Sequence, residues 1–422
     1  MSMFNHARLF LPILFLTALI PWSLTAQTKS LESVVPDYRI QLDTLTEGYD
    51  GVHCWAQARA AAIPREGRPP LMLVTMNQLT LSGSDIYGPI QTTWSQDLGK
   101  TWTAPIAQID TLGPRAEVEG GVVIVSDFWP KWHRASGKVL GIGQTFRYTD
   151  GEAPRQDVSK QVVYASYDVA TGKWSRWATL DAPEGVLAYQ TAAGCAQRVD
   201  LSDGDILLPV YFKAKADTFY KVKVLRCRFD GERLKWVAEG NALRLDTKRG
   251  FQEPSLTRFG DTYYLSIRHD DASYVSTSKD GLNFTEPRAW QWDSGGSLGS
   301  YNTQAHWVTH SDKLHLVYTR RGANNDHVFR NRAPLFIAEV DTVNLVIKRA
   351  TECVLIPEKG ARYGNFGVCE VGPKETWIVE TEWMQRPPEE PVISINNRWD
   401  AKARVYIARV LWERPNLNWD KR

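Results

Sequence analysis

An all-β chain built by radial repetition is what this sequence predicts, and three observations predict it. Strand-like runs of four to eight residues recur from Tyr38 to the end, among them Leu71–Met76 (LMLVTM), Gly121–Ser126 (GVVIVS), Asp205–Phe212 (DILLPVYF) and Arg404–Leu411 (RVYIARVL). No long window carries a 3.6-residue apolar period. Short turns rich in Gly and Asp, such as Asp203-Gly204-Asp205, Asp230-Gly231-Glu232 and Phe259-Gly260-Asp261, separate the runs as hairpin turns do. Many short antiparallel strands must hide their edges, and four-stranded blades set around an axis achieve this.

A faint repeat supports the blades. Ser95-Gln96-Asp97-Leu98-Gly99-Lys100-Thr101-Trp102 fits S-x-D-x-G-x-T-W, in which Ser and Asp accept from turn amides, Gly takes a positive φ and Trp packs beneath. Ser278-Lys279-Asp280-Gly281-Leu282-Asn283-Phe284 is a looser copy, and Ser166-Tyr167-Asp168 with Gly172-Lys173-Trp174 a weaker one. Asp168 and Asp280 stand two units of about 56 residues apart, which projects to seven blades, with six blades of about 66 residues as the alternative. Without a Pro- or Ser-rich linker, residues 27–422 read as a single propeller domain.

The first 26 residues read as a secretory signal: His6 and Arg8, an apolar run Leu9 to Ile20, then Leu24-Thr25-Ala26 before Gln27. That run is shorter than the roughly 20 residues a bilayer needs, so the expectation is a secreted or periplasmic bacterial protein with no membrane span. Five cysteines (Cys54, Cys195, Cys227, Cys353, Cys369) contain no C-x-x-C and are odd in number, excluding a zinc motif or a dense disulfide framework. A net charge of +2 with no basic tract excludes nucleic acid as the partner. The 17 Trp and 16 Tyr are many for the length and suit stacking on sugars as well as core packing.

The densest chemistry runs from Tyr301 to Asp341. Gln304 and His306 lead into it, and Arg320, Arg321, Asn324, Asn325, Asp326, His327, Arg330 and Arg332 lie between the strand-like runs Lys313–Tyr318 and Pro334–Val340. Guanidinium forks, amides and imidazole on one loop suit an anionic, hydroxyl-rich ligand.

Several segments carry a resemblance to a known group: Gly48-Tyr49-Asp50-Gly51, then Cys54-Trp55-Ala56-Gln57-Ala58-Arg59-Ala60, Leu81-Ser82-Gly83-Ser84-Asp85 and the first Asp box; further on, His133 with Ser136-Gly137-Lys138, Gln197-Arg198-Val199-Asp200-Leu201, Tyr301-Asn302-Thr303-Gln304 and Gly364-Asn365-Phe366-Gly367. Over nearly the whole mature chain the sequence resembles glycoside hydrolase family 145, which contains α-L-rhamnosidases, and the related seven-bladed ulvan lyases. The resemblance implies action at rhamnose–glucuronic acid linkages of a polysaccharide, by hydrolysis or β-elimination. It aligns Gln57 with the His that serves the rhamnosidases; Gln cannot shuttle a proton near neutral pH, which leaves it to bond sugar hydroxyls with Arg59 beside it for a carboxylate. For elimination the candidates are Tyr211, Arg226 and His133. The group's calcium-bearing members imply a structural calcium ion. A glycan-binding relative without catalysis stays open as an alternative, as does an exo-sialidase-like hydrolase. The sialidase mechanism needs three arginines, a Tyr–Glu pair and an acid, but Ala62-Ile63-Pro64 carries Ala where an R-I-P motif has Arg. Glu253, Glu370, Glu380 and Glu382 are the carboxylates available to an ordinary glycosidase pair.

Overall fold

In the computed structural model, residues 35–82, 85–117, 121–148, 158–384 and 401–419 are described; the signal segment lies outside them. Antiparallel strands form six sheets, each a blade. Their innermost strands are His53–Arg65, Val122–His133, Gln190–Ala192 continued by Val199–Asp200, Gln252–Phe259, His306–His310 and Gly367–Gly372, which begin blades one to six. Among the described residues there are thus six blades rather than seven, the smaller of the two counts the sequence allowed.

The apolar clusters explain why so many strands read as unbroken apolar runs: each lies between neighbouring blades, so both faces of a sheet are covered. Ile63, Leu73, Phe128, Val139 and Trp174 fill the gap between blades one and two. Leu140, Ile142, Ile206, Leu208 and Leu225 fill the next. Ala60, Met72, Trp377, Val379 and Ile407 join blade six to blade one. The ring closes through the N-terminal strand Tyr38–Thr46, which pairs antiparallel with Val405–Trp412 as the outer strand of blade six, Tyr38 opposite Trp412 and Leu42 opposite Ala408.

The Asp boxes occupy the turns between third and fourth strands. In the first, the Ser95 hydroxyl accepts from Gly99 N at 2.7 Å and Asp97 accepts from Thr101 N at 2.9 Å. Asp280 accepts from Leu282 N and Asn283 N, and Asp168 from Thr171 N. Two more blades use the same device with little of its sequence: Asp230 accepts from Glu232 N and Arg233 N, and Asp341 from Val343 N and Asn344 N. Asp168 and Asp280 are indeed two blades apart, but blade lengths vary, so extending their spacing overcounted the ring.

These turns define one rim, the turn rim. The other, where inner strands begin, we call the mouth. All five cysteines are free, four of them buried.

Candidate functional site

Just inside the mouth, the inner strands of four successive blades share one backbone irregularity. Gln57, Asp127, Cys195 and Glu253 all have positive φ, at 58°, 53°, 65° and 41°. At Gln57, Asp127 and Glu253 the strand register shifts as at a β-bulge, and at Cys195 the inner strand is interrupted. None is glycine, so each position costs on the order of 1 kcal/mol, a pattern typical of functional sites. The kinks turn polar side chains toward the axis.

There they form a connected network. Gln57 Oε1 accepts from Asp127 N at 2.7 Å and from Ser126 Oγ at 3.0 Å. Asp127 accepts from Gln144 Nε2 at 2.9 Å and from the Cys195 thiol at 2.8 Å. Gln304 Nε2 donates to Cys195 Sγ and to Asn365 Oδ1, and its Oε1 meets His306 Nε2 at 3.0 Å and Arg59 at 3.4 Å. Arg59 is fully buried; a side chain on Gly367 would strike its Cγ at 2.7 Å. Burial and the Arg59 charge push the His306 pKa well below the usual imidazole range, so this ring is neutral. Gln57, Arg59, Gln304 and His306, four of the sequence-chosen residues, are therefore brought together. They are packed deep in the tunnel instead of lining an open pocket. Asp127 accepts from Gln144, Cys195 and Arg59, and among the described residues no cluster of three or more His, Cys, Asp or Glu suited to a metal ion occurs.

Above this layer, four arginines converge on Asn302. Its Oδ1 accepts from Arg268 at 2.6 Å, Arg249 at 3.4 Å and Arg330 at 3.5 Å, and its backbone carbonyl accepts from Arg332. Two carboxylates answer them: Glu253 pairs with Arg268, and Asp270 accepts from Arg249 at 2.6 and 2.8 Å. Among the described residues, guanidinium groups therefore outnumber the carboxylates paired with them at this hub. The deficit shows in the charge balance: burial, then Arg268, Arg362 and Arg330, push the Arg332 guanidinium well below the usual arginine range, and burial with Arg268 and Arg249 lowers Arg330. Arg332 is 3% and Arg268 8% exposed, and the Nε of each, with Glu253 Oε2, has no hydrogen-bond partner. Two buried guanidinium groups with unused donors, crowded by two further arginines, suit an anion.

Asp85 reaches the same mouth from blade one, at φ 60°, and its charge is felt by Arg330 and Arg362. Tyr87 donates to its carboxylate at 3.1 Å and Tyr148 to its carbonyl at 2.6 Å.

The rest of the Tyr301–Asp341 segment divides. Arg320 is committed to Glu352 at 2.6 and 2.7 Å. Asn325 is buried and donates to the carbonyls of Arg320, Asn331 and Ala333, bracing the loop. Arg321 lies 3.7 Å over the Tyr301 ring, His327 pairs with Glu358 at 2.8 Å, and Asn324 is exposed with φ 55°. Of the loop residues read from the sequence, Arg330 and Arg332 enter the cationic cluster.

Tyr211, Arg226 and His133 do not form one catalytic set. His133 bonds Ser136 and the Gly204 carbonyl, and Arg226 pairs with Asp203 and Asp205, all toward the turn rim. Tyr211 lies six residues along the strand from Asp205, roughly 20 Å away, at the mouth. Its hydroxyl donates to Gln144 Oε1 at 2.5 Å, and burial beside the Glu253 charge lifts its pKa well above the usual tyrosine value, the wrong direction for a base. Sequence reasoning missed Asn302 as a hub, with Arg249 and Arg268. One signal was available: residues equidistant from the Phe259-Gly260-Asp261 turn are cross-strand neighbours, which places Gln252 opposite Arg268 and Glu253 beside it.

Six sheets around a polar tunnel, Asp turns on one rim and an arginine cluster on the other are the features to compare with solved structures. The fold is sialidase-like. Trypanosoma rangeli sialidase superposes with a TM-score of 0.57 at 17% identity over 89% of this chain, which spans 60% of that enzyme's length. The NanB sialidase of Streptococcus pneumoniae gives 0.58 at 12% identity, covering 87% of this chain and 70% of that one. A Dyadobacter fermentans protein of unknown function gives 0.56 at 13% identity, over 90% of this chain and all of its own. By sequence, neither a family profile nor a curated protein matches. The likeness establishes the fold; the rhamnosidase and ulvan lyase resemblance rests on its sequence motifs alone. No helix of the described residues is long and apolar enough to cross a membrane.

Proposed function

We propose that the protein is an exported carbohydrate-active enzyme that grips the carboxylate of an acidic sugar at the mouth and cleaves the adjoining glycosidic bond. The observation that carries this is the convergence of Arg249, Arg268, Arg330 and Arg332 on Asn302, where two carboxylates among the described residues, Glu253 and Asp270, pair with them. A planar carboxylate accepts from two guanidinium groups and restores the balance. In this reading Arg332 and Arg268 hold the carboxylate, Asp85 on the facing side serves as acid or base toward the glycosidic oxygen, and Glu253, fixed by Arg268, stabilises positive charge developing at the anomeric carbon. The sequence resemblance supplies the sugar: glucuronate linked to rhamnose. The sialidase relatives extend the reading to other sugar acids, since a T. rangeli sialidase structure holds sialic acid.

The test uses the purified mature chain on rhamnose–glucuronate and sialoside substrates, following both reducing ends and unsaturated uronate. Arg332→Met is expected to lower kcat/KM at least 100-fold, and carboxyl-reduced substrate to be equally poor. Turnover of the reduced substrate at the same rate would overturn the assignment. A non-catalytic, glycan-binding protein is the second reading, favoured by Gln57 standing where the rhamnosidases use His; binding of glucuronate with no product would select it.

A further inference from the structure

Beside the arginine cluster, on blades two and three, lies a second group of cations that no carboxylate among the described residues answers. Lys160 and Lys213 flank Gln190, the first by an isolated bridge and the second as its strand partner. The Lys160 ammonium lies 5.2 Å from the Phe146 ring centre and 5.9 Å from that of Tyr211; Lys213 lies 4.8 Å from Tyr220 and Lys215 5.5 Å from Tyr189. Tyr211 and Tyr220 pack edge to face at 5.4 Å, and Tyr220 donates to Gln190 Oε1. Tyr211 and Tyr220 thus form one aromatic pair beneath Lys160 and Lys213, with Phe146 and Tyr189 under Lys160 and Lys215. The one carboxylate in the same turn, Asp217, is taken by Lys221 at 2.8 Å and Ala214 N at 2.9 Å. Lys223, a few residues on, shows the ordinary arrangement by pairing with Glu239 at 2.6 Å.

Two features make this ledge a ligand surface and not a solvated fringe. The lysine ammonium groups lie over aromatic faces, which reduces the rotamer entropy lost when an anion docks. The ledge also adjoins the mouth: the charges of Asp85 and Glu253 both reach the Lys160 ammonium. We propose that the ledge is a second anionic subsite, which takes a further carboxylated or sulfated sugar of the same chain, so that the ligand is a stretch of acidic polysaccharide and not a single capping sugar. This rests on the mouth holding an acidic sugar, and the two are separable.

The experiment is calorimetric titration of the mature chain with glucuronate, an oligoglucuronide and a sulfated oligosaccharide of equal length, each at low and moderate salt. The oligomers are expected to bind at least 10-fold tighter than glucuronate, with an affinity that falls steeply with salt. Lys213→Ala combined with Lys215→Ala removes most of that advantage and leaves glucuronate binding unchanged; Lys160→Met, tested alone, acts the same way. Which oligomer loses more in the double variant identifies uronate or sulfate as the group held. An equal loss for monomer and oligomer, or an oligomer no tighter than the monomer in the wild type, overturns the ledge. In Arg332→Met the outcome divides differently: lost glucuronate binding with a persisting lysine-dependent oligomer advantage supports both sites. If wild-type protein ignores glucuronate but still binds oligomers through the lysines, the mouth assignment fails and the ledge stands.

Discussion

Glu380 offers a test of the electrostatics under the mouth that needs no ligand. Its carboxyl is fully buried, Oε2 accepting from Gly364 N at 2.5 Å and Oε1 from Thr381 N at 2.8 Å. Burial pushes its pKa up to about 7 against the opposing pull of those amides and of Arg59 and Arg332. In the unfolded chain it titrates near the ordinary 4.5. Between those values the native protein holds a proton that the unfolded chain has released. The contribution is therefore fully present below about pH 4.5, declines as pH rises toward 7 and is gone above it. At about 1.4 kcal/mol per pKa unit, the decline over the whole window amounts to roughly 3–3.5 kcal/mol. Urea unfolding of wild type and Glu380→Gln at steps from pH 5 to 8 reads it. Gln lowers absolute stability because its amide faces a backbone N–H, but it removes the titration. The wild-type advantage is expected to shrink by about 2 kcal/mol between the ends of the range. A difference that stays constant refutes the argument, for it means Glu380 ionises as a surface carboxyl does. Deprotonation also sets a new anion against Arg332, so glucuronate affinity is expected to fall over the same range.

Two further outcomes follow from the placement of residues away from the mouth. Asp97→Ala removes the acceptor for Thr101 N and the Thr101 hydroxyl at 2.9 and 2.6 Å, and is expected to cost about 1–2 kcal/mol in unfolding free energy with kcat/KM unchanged; a loss of activity at full stability would place the turn rim in the chemistry. Arg226→Ala leaves buried Asp205 its other partner, Arg228 at 2.7 Å, so turnover is expected within twofold of wild type, whereas a 100-fold loss would restore Arg226 as a substrate-binding group.

The blades were legible because strand runs and Asp turns are local. The turns at Asp97 and Asp280 keep the Ser and Gly that complete the motif. At Asp230 and Asp341 the carboxylate alone still caps the turn, so the repeat survives in geometry after it has faded from the letters. The loop between the strand Lys313–Tyr318 and the following strand reads from sequence as an anion-binding surface, yet most of its charge serves the fold: Arg320 holds Glu352 and Asn325 ties three carbonyls. What no linear reading supplies is the meeting of Arg249 and Arg268 with Arg330 and Arg332, which arrive from three separate connections and meet at Asn302 on the connection between blades four and five. The resemblance to the rhamnosidases pointed to the stretch Cys54–Ala60, whose Gln57 and Arg59 belong to the tunnel floor.

That floor shows how a repeated backbone carries unlike chemistry. Gln57, Asp127, Cys195 and Glu253 share one left-handed kink while differing in side chain, so the scaffold fixes position and leaves character to the residue. The two acids then diverge by their neighbours. Asp127 meets Arg59 only at 3.5 Å, and burial prevails, raising its pKa. Glu253 is paired with Arg268 and lies near Arg332 and Arg249, whose charges outweigh its burial and lower its pKa. Negative charge is thus held beside the arginines of blades four and five and disfavoured on the side of blade two. A ligand entering this mouth meets an asymmetric field, with guanidinium groups and their fixed counter-charge on one side and Asp85 with the lysine ledge on the other. In the proposed reading that asymmetry orients an acidic sugar, carboxylate toward Asn302 and the rest of its chain toward Lys160.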